Sequence, residues 1–236
     1  MPHKWDYPKW QKLFNNTTDL NQTHEEFYLE AGYKLIPINL MQNGQVILPK
    51  MFPAKDYLLK QMIIDKYVKQ SQNTNNTSML IVGFWTANFL FNIGLENFAS
   101  IDGLECYQKA VDVAKRAQDT LPPELNRKFR FFLGSAENLD GYPCYDIIVN
   151  FCLEHVKNPA LVMKEALQHL KPNGTAYFTP PIGHGCDSPT HLHHFQEPNL
   201  NALLPEGYTA KYTRTKFTQL SPRPNCFIME VTKDAV

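Results

Sequence analysis

The distribution of apolar residues divides the chain near residue 70. Before Lys50, Trp, Tyr, Asn and Thr are mixed without sustained periodicity, which favours short helices and loops. Apolar residues then recur at helical spacing and predict one amphipathic helix over Asp56 to Val68. We therefore predict an N-terminal helical flank or lid, residues 1–70, followed by a main domain, residues 71–236.

The main domain alternates short apolar runs with helical patterns. The continuous run Met79 to Val82 is typical of a parallel strand covered on both faces. The other predicted strands and helices are Thr86 to Asn92 (helix), Phe98 to Ile101 (strand), Tyr107 to Gln118 (helix), Arg130 to Leu133 and Asp146 to Asn150 (strands), Ala160 to Leu170 (helix) and Thr175 to Thr179 (strand). Two last strands, Ala210 to Phe217 and Cys226 to Thr232, have no helix between them, which predicts an antiparallel pair. The pattern predicts an α/β fold with a doubly wound, mostly parallel sheet and an antiparallel C-terminal hairpin.

The charge composition bears on which classes of molecule the protein binds. Lys and Arg number 23 and Asp and Glu number 23, so the formal net charge is zero and no global basic field attracts nucleic acid or anionic lipid. We therefore expect neither a nucleic-acid nor a membrane partner. The five cysteines form no Cys-x-x-Cys pair, and Met1 to Asp6 lacks the apolar segment of a signal peptide, which favours reduced thiols and a cytoplasmic location.

Four segments in the same order resemble the class I S-adenosylmethionine-dependent methyltransferases, over the span from Met79 to Thr232. They are Leu80-Ile81-Val82-Gly83, Ser100-Ile101-Asp102, Leu153-Glu154-His155-Val156 and Leu170-Lys171-Pro172-Asn173-Gly174. The resemblance implies a seven-stranded Rossmann-like methyltransferase sheet and S-adenosylmethionine as cofactor. Because the formal charge is balanced, we expect a small-molecule acceptor.

The resemblance also implies a donor site. Gly83 lies where the chain turns closely past the ligand, and Asp102, 19 positions later, would hold the ribose. The alternative for Asp102 is a turn or cap at the following helix. Ser135 and Ala136 match the turn that meets the adenine, although Ser135 replaces the acidic residue usual there.

The glycine-rich turn of the family is degenerate in this chain. Of its three glycines only Gly83 remains, and Trp85 stands where the family has a glycine that lets backbone amides approach the ligand. Trp85 is therefore expected to line and alter the donor pocket, together with Phe84 and Ala87. Two interpretations remain open: a remodelled pocket that still accepts the donor, or a retained fold that acts as a scaffold or regulator.

Histidines after two of the predicted strands are candidates for the acceptor side. We expect His155 or His191 to act as the catalytic base, with Glu154, His184 and His194 binding the acceptor. Glu154 and His155 could instead cap or orient the next helix.

A metal site in the histidine-rich loop is the sharper alternative. The competent ligands are His184, Cys186, Asp187, His191, His193 and His194. In some RNA and quinone O-methyltransferases the metal motif is Glu-x-x-Glu-His, but Phe151 replaces the first Glu of that motif here. We therefore expect no bound metal.

The sequence thus predicts transfer of a methyl group from S-adenosylmethionine to an oxygen or nitrogen of a small-molecule or sugar-like acceptor. The alternative is a catalytically inactive protein of the same fold that serves as a binding or regulatory partner. A homodimer or a protein partner is compatible with either hypothesis, and the sequence does not identify the acceptor.

Overall fold

A single seven-stranded sheet organises the protein, here described from a computed structural model. The structure describes residues 12, 16, 41–42, 45–46, 54–69, 76–85, 87–94, 97–183, 188, 190–216 and 225–234. The strands of the sheet are β1 (Ser78–Val82), β2 (Ser100–Glu105), β3 (Phe129–Leu133), β4 (Tyr145–Asn150), β5 (Leu170–Phe178), β6 (Tyr208–Thr215) and β7 (Cys226–Lys233). Their spatial order is β3-β2-β1-β4-β5-β7-β6. The first five strands are parallel, and β7 runs antiparallel to both β5 and β6.

Helices connect the parallel strands. They are α2 (Asn88–Asn92), α3 (Gln108–Gln118), α4 (Pro123–Asn126) and α5 (Pro159–Gln168), preceded by α1 (Ala54–Ile63) and followed by α6 (Glu197–Asn201). A π-helical turn, Ile64–Lys69, extends α1, and Met41–Gln42 pairs with Gln45–Val46 in a separate short hairpin.

The sheet is buried on both faces, as the apolar run of β1 predicts. Met79 and Ile81 contribute to the core on one face, while Leu80 and Val82 contribute to the core on the other. On the first face, Leu59 and Ile63 of α1 are fully buried in the core. The N-terminal flank is therefore packed on the sheet through this helix, although the predicted boundary at residue 70 stays a prediction.

The predicted fold is confirmed: the sheet has seven strands, is mostly parallel and ends in an antiparallel pair. Several predicted boundaries were wrong: β2 runs from Ser100 to Glu105 rather than from Phe98 to Ile101, and β5 begins at Leu170 rather than at Thr175. Among the described residues, none of the helices has the length and apolar character that crossing a bilayer requires.

Candidate functional site

The carboxyl ends of the parallel strands meet at one edge of the sheet, and there the candidate residues gather. At this edge of open α/β sheets ligands bind, because successive loops diverge and leave a crevice. The segments that follow β1, β2 and β3 form one half of the edge, and those that follow β4 and β5 form the other half.

The turn after β1 has a left-handed backbone. Gly83 has φ 73°, Trp85 has φ 48° and Ala87 has φ 58°. A Cβ atom on Gly83 would lie 2.6 Å from the Cβ atom of Cys152, so a larger residue does not fit at this position. The turn has therefore kept the backbone course of a glycine-rich loop at two positions where glycine is absent.

Glu105 ends β2 beside this turn and was missed by the sequence analysis. The backbone N–H of Trp85 donates to Oε2 of Glu105 over 2.9 Å, and the N–H of Cys106 donates to Oε1 over 2.9 Å. The Trp85 indole stacks on the ring of Tyr107, with 6.0 Å between ring centroids. Glu105 lies 22 positions after Gly83, so its spacing from the turn could have identified it as readily as that of Asp102.

Asp102 does not reach the edge, because it lies in the middle of β2 and is fully buried. Arg130 donates to both of its carboxylate oxygens, from Nε over 2.8 Å and from Nη2 over 2.6 Å. The Tyr145 hydroxyl donates to Oδ2 over 2.6 Å. The expected placement of Asp102 at a strand end was wrong, and the side chain links β2 to β3 and β4 instead.

Ser135 and Ala136 follow β3 at the same edge. Ser135 is exposed, and its Oγ accepts the backbone N–H of Glu137 over 3.1 Å. The Glu137 carboxylate in turn accepts the backbone N–H of Asn158 over 2.8 Å. These bonds fix the turn next to the segment that leads into α5.

Glu154, His155 and His191 come together on the other half of the edge. The ring centroids of His155 and His191 lie 4.8 Å apart, and Nε2 of His155 lies 3.7 Å from Oε1 of Glu154. The two segments that carry them are joined because the Glu154 carbonyl accepts the backbone N–H groups of Leu192 and His193, over 2.8 and 3.3 Å. We name these three residues the Glu–His–His cluster.

Burial determines the protonation of two of these side chains. It raises the pKa of Glu154 to about 7, against an opposing effect of the Lys55 charge. Burial also lowers the pKa of His155 to about 4, although the bond to Thr190 opposes the shift. Because a carbonyl can only accept, Nδ1 of neutral His155 donates to the Thr190 carbonyl over 3.0 Å, and Nε2 keeps its lone pair.

Lys55 brings the N-terminal flank to the site, and no sequence motif marked it. It lies on α1, is 6% exposed, and donates from Nζ to the Thr179 hydroxyl over 3.5 Å. Its Nζ also lies 5.3 Å from the centroid of the Phe151 ring. The flank therefore supplies a buried positive charge beside the Glu–His–His cluster.

Two other histidines of the loop, His193 and His194, bond backbone carbonyls outside the cluster. Nδ1 of His194 bonds the Gly183 carbonyl over 3.2 Å, and Nε2 of His193 bonds the Val156 carbonyl over 2.9 Å. His184, Cys186 and Asp187 lie outside the described residues. Of the predicted acceptor-side residues, the structure thus brings Glu154, His155 and His191 together. His194 instead lies beside Gly183.

Comparison with known proteins finds similarity to methyltransferases in sequence and in fold. Residues 80–178 match a family model described as a methyltransferase domain, whereas no curated protein matches the chain. The fold resembles a glycopeptide N-methyltransferase, MtfA, solved with S-adenosylmethionine (TM-score 0.59, 8% identity, 82% of this chain and 99% of that chain). It also resembles the N-methyltransferase NodS from Bradyrhizobium japonicum WM9 (TM-score 0.57, 11% identity, 76% of this chain and 97% of that chain). A third similar structure is the [4+2]-cyclase SpnF (TM-score 0.61, 16% identity, 78% of this chain and 82% of that chain). Residues 80–178 thus match a methyltransferase domain, and the fold of the chain is that of the class I S-adenosylmethionine-dependent methyltransferases.

Proposed function

We propose that this protein transfers a methyl group from S-adenosylmethionine to an oxygen or nitrogen of a small-molecule acceptor. The observation that carries the proposal is the position of Glu105, a carboxylate at the end of β2 that faces the left-handed turn after β1. The matching methyltransferase family model, which spans both features, supports it.

The residues at this half of the edge fit the donor. Oε1 of Glu105 accepts from the backbone N–H groups of Cys106 and Tyr107 and from the Cys106 thiol. Oε2 has two lone pairs and, among the described residues, accepts only the Trp85 N–H, so a ribose hydroxyl has an acceptor there. In this proposal Glu105 takes the ribose role first expected of Asp102, and Gly83 and Trp85 line the methionine side. Ser135 and Ala136 flank the adenine. The donor supplies a methyl group activated by its positively charged sulfur.

The Glu–His–His cluster faces the acceptor in this proposal, with His184 and His194 on the adjoining loop. The bond from Nδ1 to Thr190 fixes the His155 ring and leaves the Nε2 lone pair to accept a hydrogen bond from a hydroxyl or amine. The His191 ring packs edge-on against it and limits its rotation. Because burial lowers the pKa of His155 to about 4 and makes it a weak base, His191 is our preferred base, and His155 and Glu154 orient the acceptor.

A binding or regulatory protein without methyltransferase activity is the second candidate. Trp85 and Ala87 hold left-handed conformations without being glycine, and an indole occupies part of the turn that glycines leave open in the family. The comparison with SpnF is relevant here, because a protein of this fold is described as a cyclase.

A product assay separates the two candidates. The protein is incubated with isotopically labelled S-adenosylmethionine and panels of small amines, alcohols and sugars, and S-adenosylhomocysteine and methylated product are measured by mass spectrometry. We expect labelled product from at least one class and a fall in kcat of roughly 100-fold in His191→Gln, because a general base commonly contributes that much.

His169→Gln is the matched control, since His169 bonds the Glu165 carbonyl on α5, away from the cluster, and should keep full activity. Absence of product from every class, by protein that demonstrably binds the donor, would contradict the enzymatic proposal and favour the binding role.

A further inference from the structure

The Glu–His–His cluster presents three metal-competent side chains from two chain segments. One ligand atom from each of Glu154, His155 and His191 lies within 4.8 Å of the others. The backbone bonds from Leu192 and His193 to the Glu154 carbonyl hold the two segments together without using the three side chains. The arrangement is therefore built by the fold rather than by the chance meeting of flexible surface groups.

The Glu154 carboxylate lacks a partner at one of its oxygens. Glu154 is 3% exposed, and within the described part of the chain its buried Oε2 accepts no hydrogen bond. Leaving a buried carboxylate oxygen unbonded is costly, so the position favours a positively charged or hydrogen-bonding ligand.

His155 is oriented as metal-binding histidines generally are. Its Nδ1 donates to a backbone carbonyl, that of Thr190, which fixes the tautomer and leaves a lone pair on Nε2, an atom that lies 3.7 Å from Oε1 of Glu154. Such a second hydrogen bond accompanies most metal-ligating imidazoles because it holds the ring in position.

We propose that the Glu–His–His cluster binds one divalent transition-metal ion, such as Zn²⁺ or Co²⁺, through Glu154, His155 and His191. Two imidazoles and one carboxylate suit this class of ion and leave at least one coordination position open. Coordination brings ligand atoms to about 3 Å from one another, so the side chains must close by about 2 Å. The proposal departs from the sequence expectation of no metal, which rested on the missing glutamate at Phe151.

The Lys55 charge lies close enough to influence Glu154 and His155, and it limits the affinity for a cation. With the ion bound, the two imidazoles would be ligands rather than the base, and the ion would instead acidify a hydroxyl acceptor at its open position. Ion binding itself does not depend on methyl transfer. It is measured without the donor, so its failure and the failure of the proposed function are distinguishable.

Titration of metal-free protein with Co²⁺, followed by visible absorption, tests the proposal. One equivalent is expected to give a ligand-field spectrum, and Glu154→Gln and His191→Gln are each expected to weaken binding at least 10-fold. His193→Gln is the matched control, because His193 lies in the same segment but bonds the Val156 carbonyl, and it should bind Co²⁺ as the unaltered protein does.

If the variants fail to fold, X-ray absorption of the Zn²⁺-loaded, unaltered protein still tests the proposal, because it identifies the ligand atoms around the ion. Two imidazoles with oxygen ligands are expected. No Co²⁺ binding by folded protein, equal binding by both cluster variants, or a zinc shell that contains sulfur would overturn the proposal.

Discussion

Two residues in the turn after β1 adopt a backbone conformation that ordinarily favours glycine. For an L-residue with a side chain the left-handed region costs roughly 1–2 kcal/mol. Ala87 has φ 58° and is fully buried, and the favourable burial of its methyl group offsets part of this cost. Trp85 has φ 48°, and the stacking of its indole on Tyr107 offsets part of the cost. The turn is held by its surroundings rather than by its own preference.

Replacing Ala87 by glycine tests this conformation. Ala87→Gly is expected to change the free energy of unfolding by less than about 0.5 kcal/mol, because relief of left-handed strain offsets the lost methyl burial and the greater freedom of the unfolded chain. Ala114→Gly in α3 is the control, since Ala114 is also buried but helical, and it should lose about 2 kcal/mol. Urea unfolding measures both, and equal losses would contradict the assigned turn geometry.

At the scale of elements, one buried carboxylate connects three strands. Asp102 on β2 accepts from Arg130 on β3 and from Tyr145 on β4, although β1 lies between β2 and β4. The carboxylate is fully buried while the Arg130 side chain is 55% exposed. Asp102 therefore depends on its partners for charge compensation more than Arg130 does.

Removing Arg130 should destabilise the sheet. Arg130→Met is expected to lower the free energy of unfolding by about 3 kcal/mol, because it leaves a buried carboxylate without its cation. Arg214→Met is the control, since Arg214 also pairs with a carboxylate, that of Glu197, and lies 5.8 Å from a phenyl ring, as Arg130 does, but its pair is exposed. That control should lose no more than about 1 kcal/mol. Similar losses in chemical denaturation would refute a special role for the Asp102 pair.

The sequence predicted the elements better than their ends. The alternation of strands and helices follows from apolar periodicity, so the sheet and its antiparallel pair were predictable. The end of β2 was not, because Ser100 to Glu105 contains two acidic residues and periodicity does not decide which one lies at the strand end. The partners that make burial of Asp102 tolerable, Arg130 and Tyr145, lie 28 and 43 positions away. The short α6 also escaped prediction, since five residues carry little periodicity.

At the scale of the whole molecule, two groups of candidate functional residues lie along one edge of the sheet. The turn after β1 and Glu105 lie on the half formed by β1 to β3, and the Glu–His–His cluster lies on the half formed by β4 and β5. The approach of His155 to His191 could not be predicted from their spacing of 36 positions, because it depends on the bonds from Leu192 and His193 to the Glu154 carbonyl. Lys55 reaches this half only because α1 packs on the sheet.

Calorimetric titration with S-adenosylmethionine tests the central claim, donor binding through Glu105, most directly. We predict a dissociation constant in the micromolar range, about −8 kcal/mol, for the unaltered protein. Glu105→Gln should weaken binding at least 10-fold, because hydrogen bonds to a charged group contribute about 1.5–3 kcal/mol. Asp102→Asn, if it remains folded by circular dichroism, should bind the donor as the unaltered protein does. No heat of binding from folded protein, or loss of binding in Asp102→Asn but not in Glu105→Gln, would contradict the account.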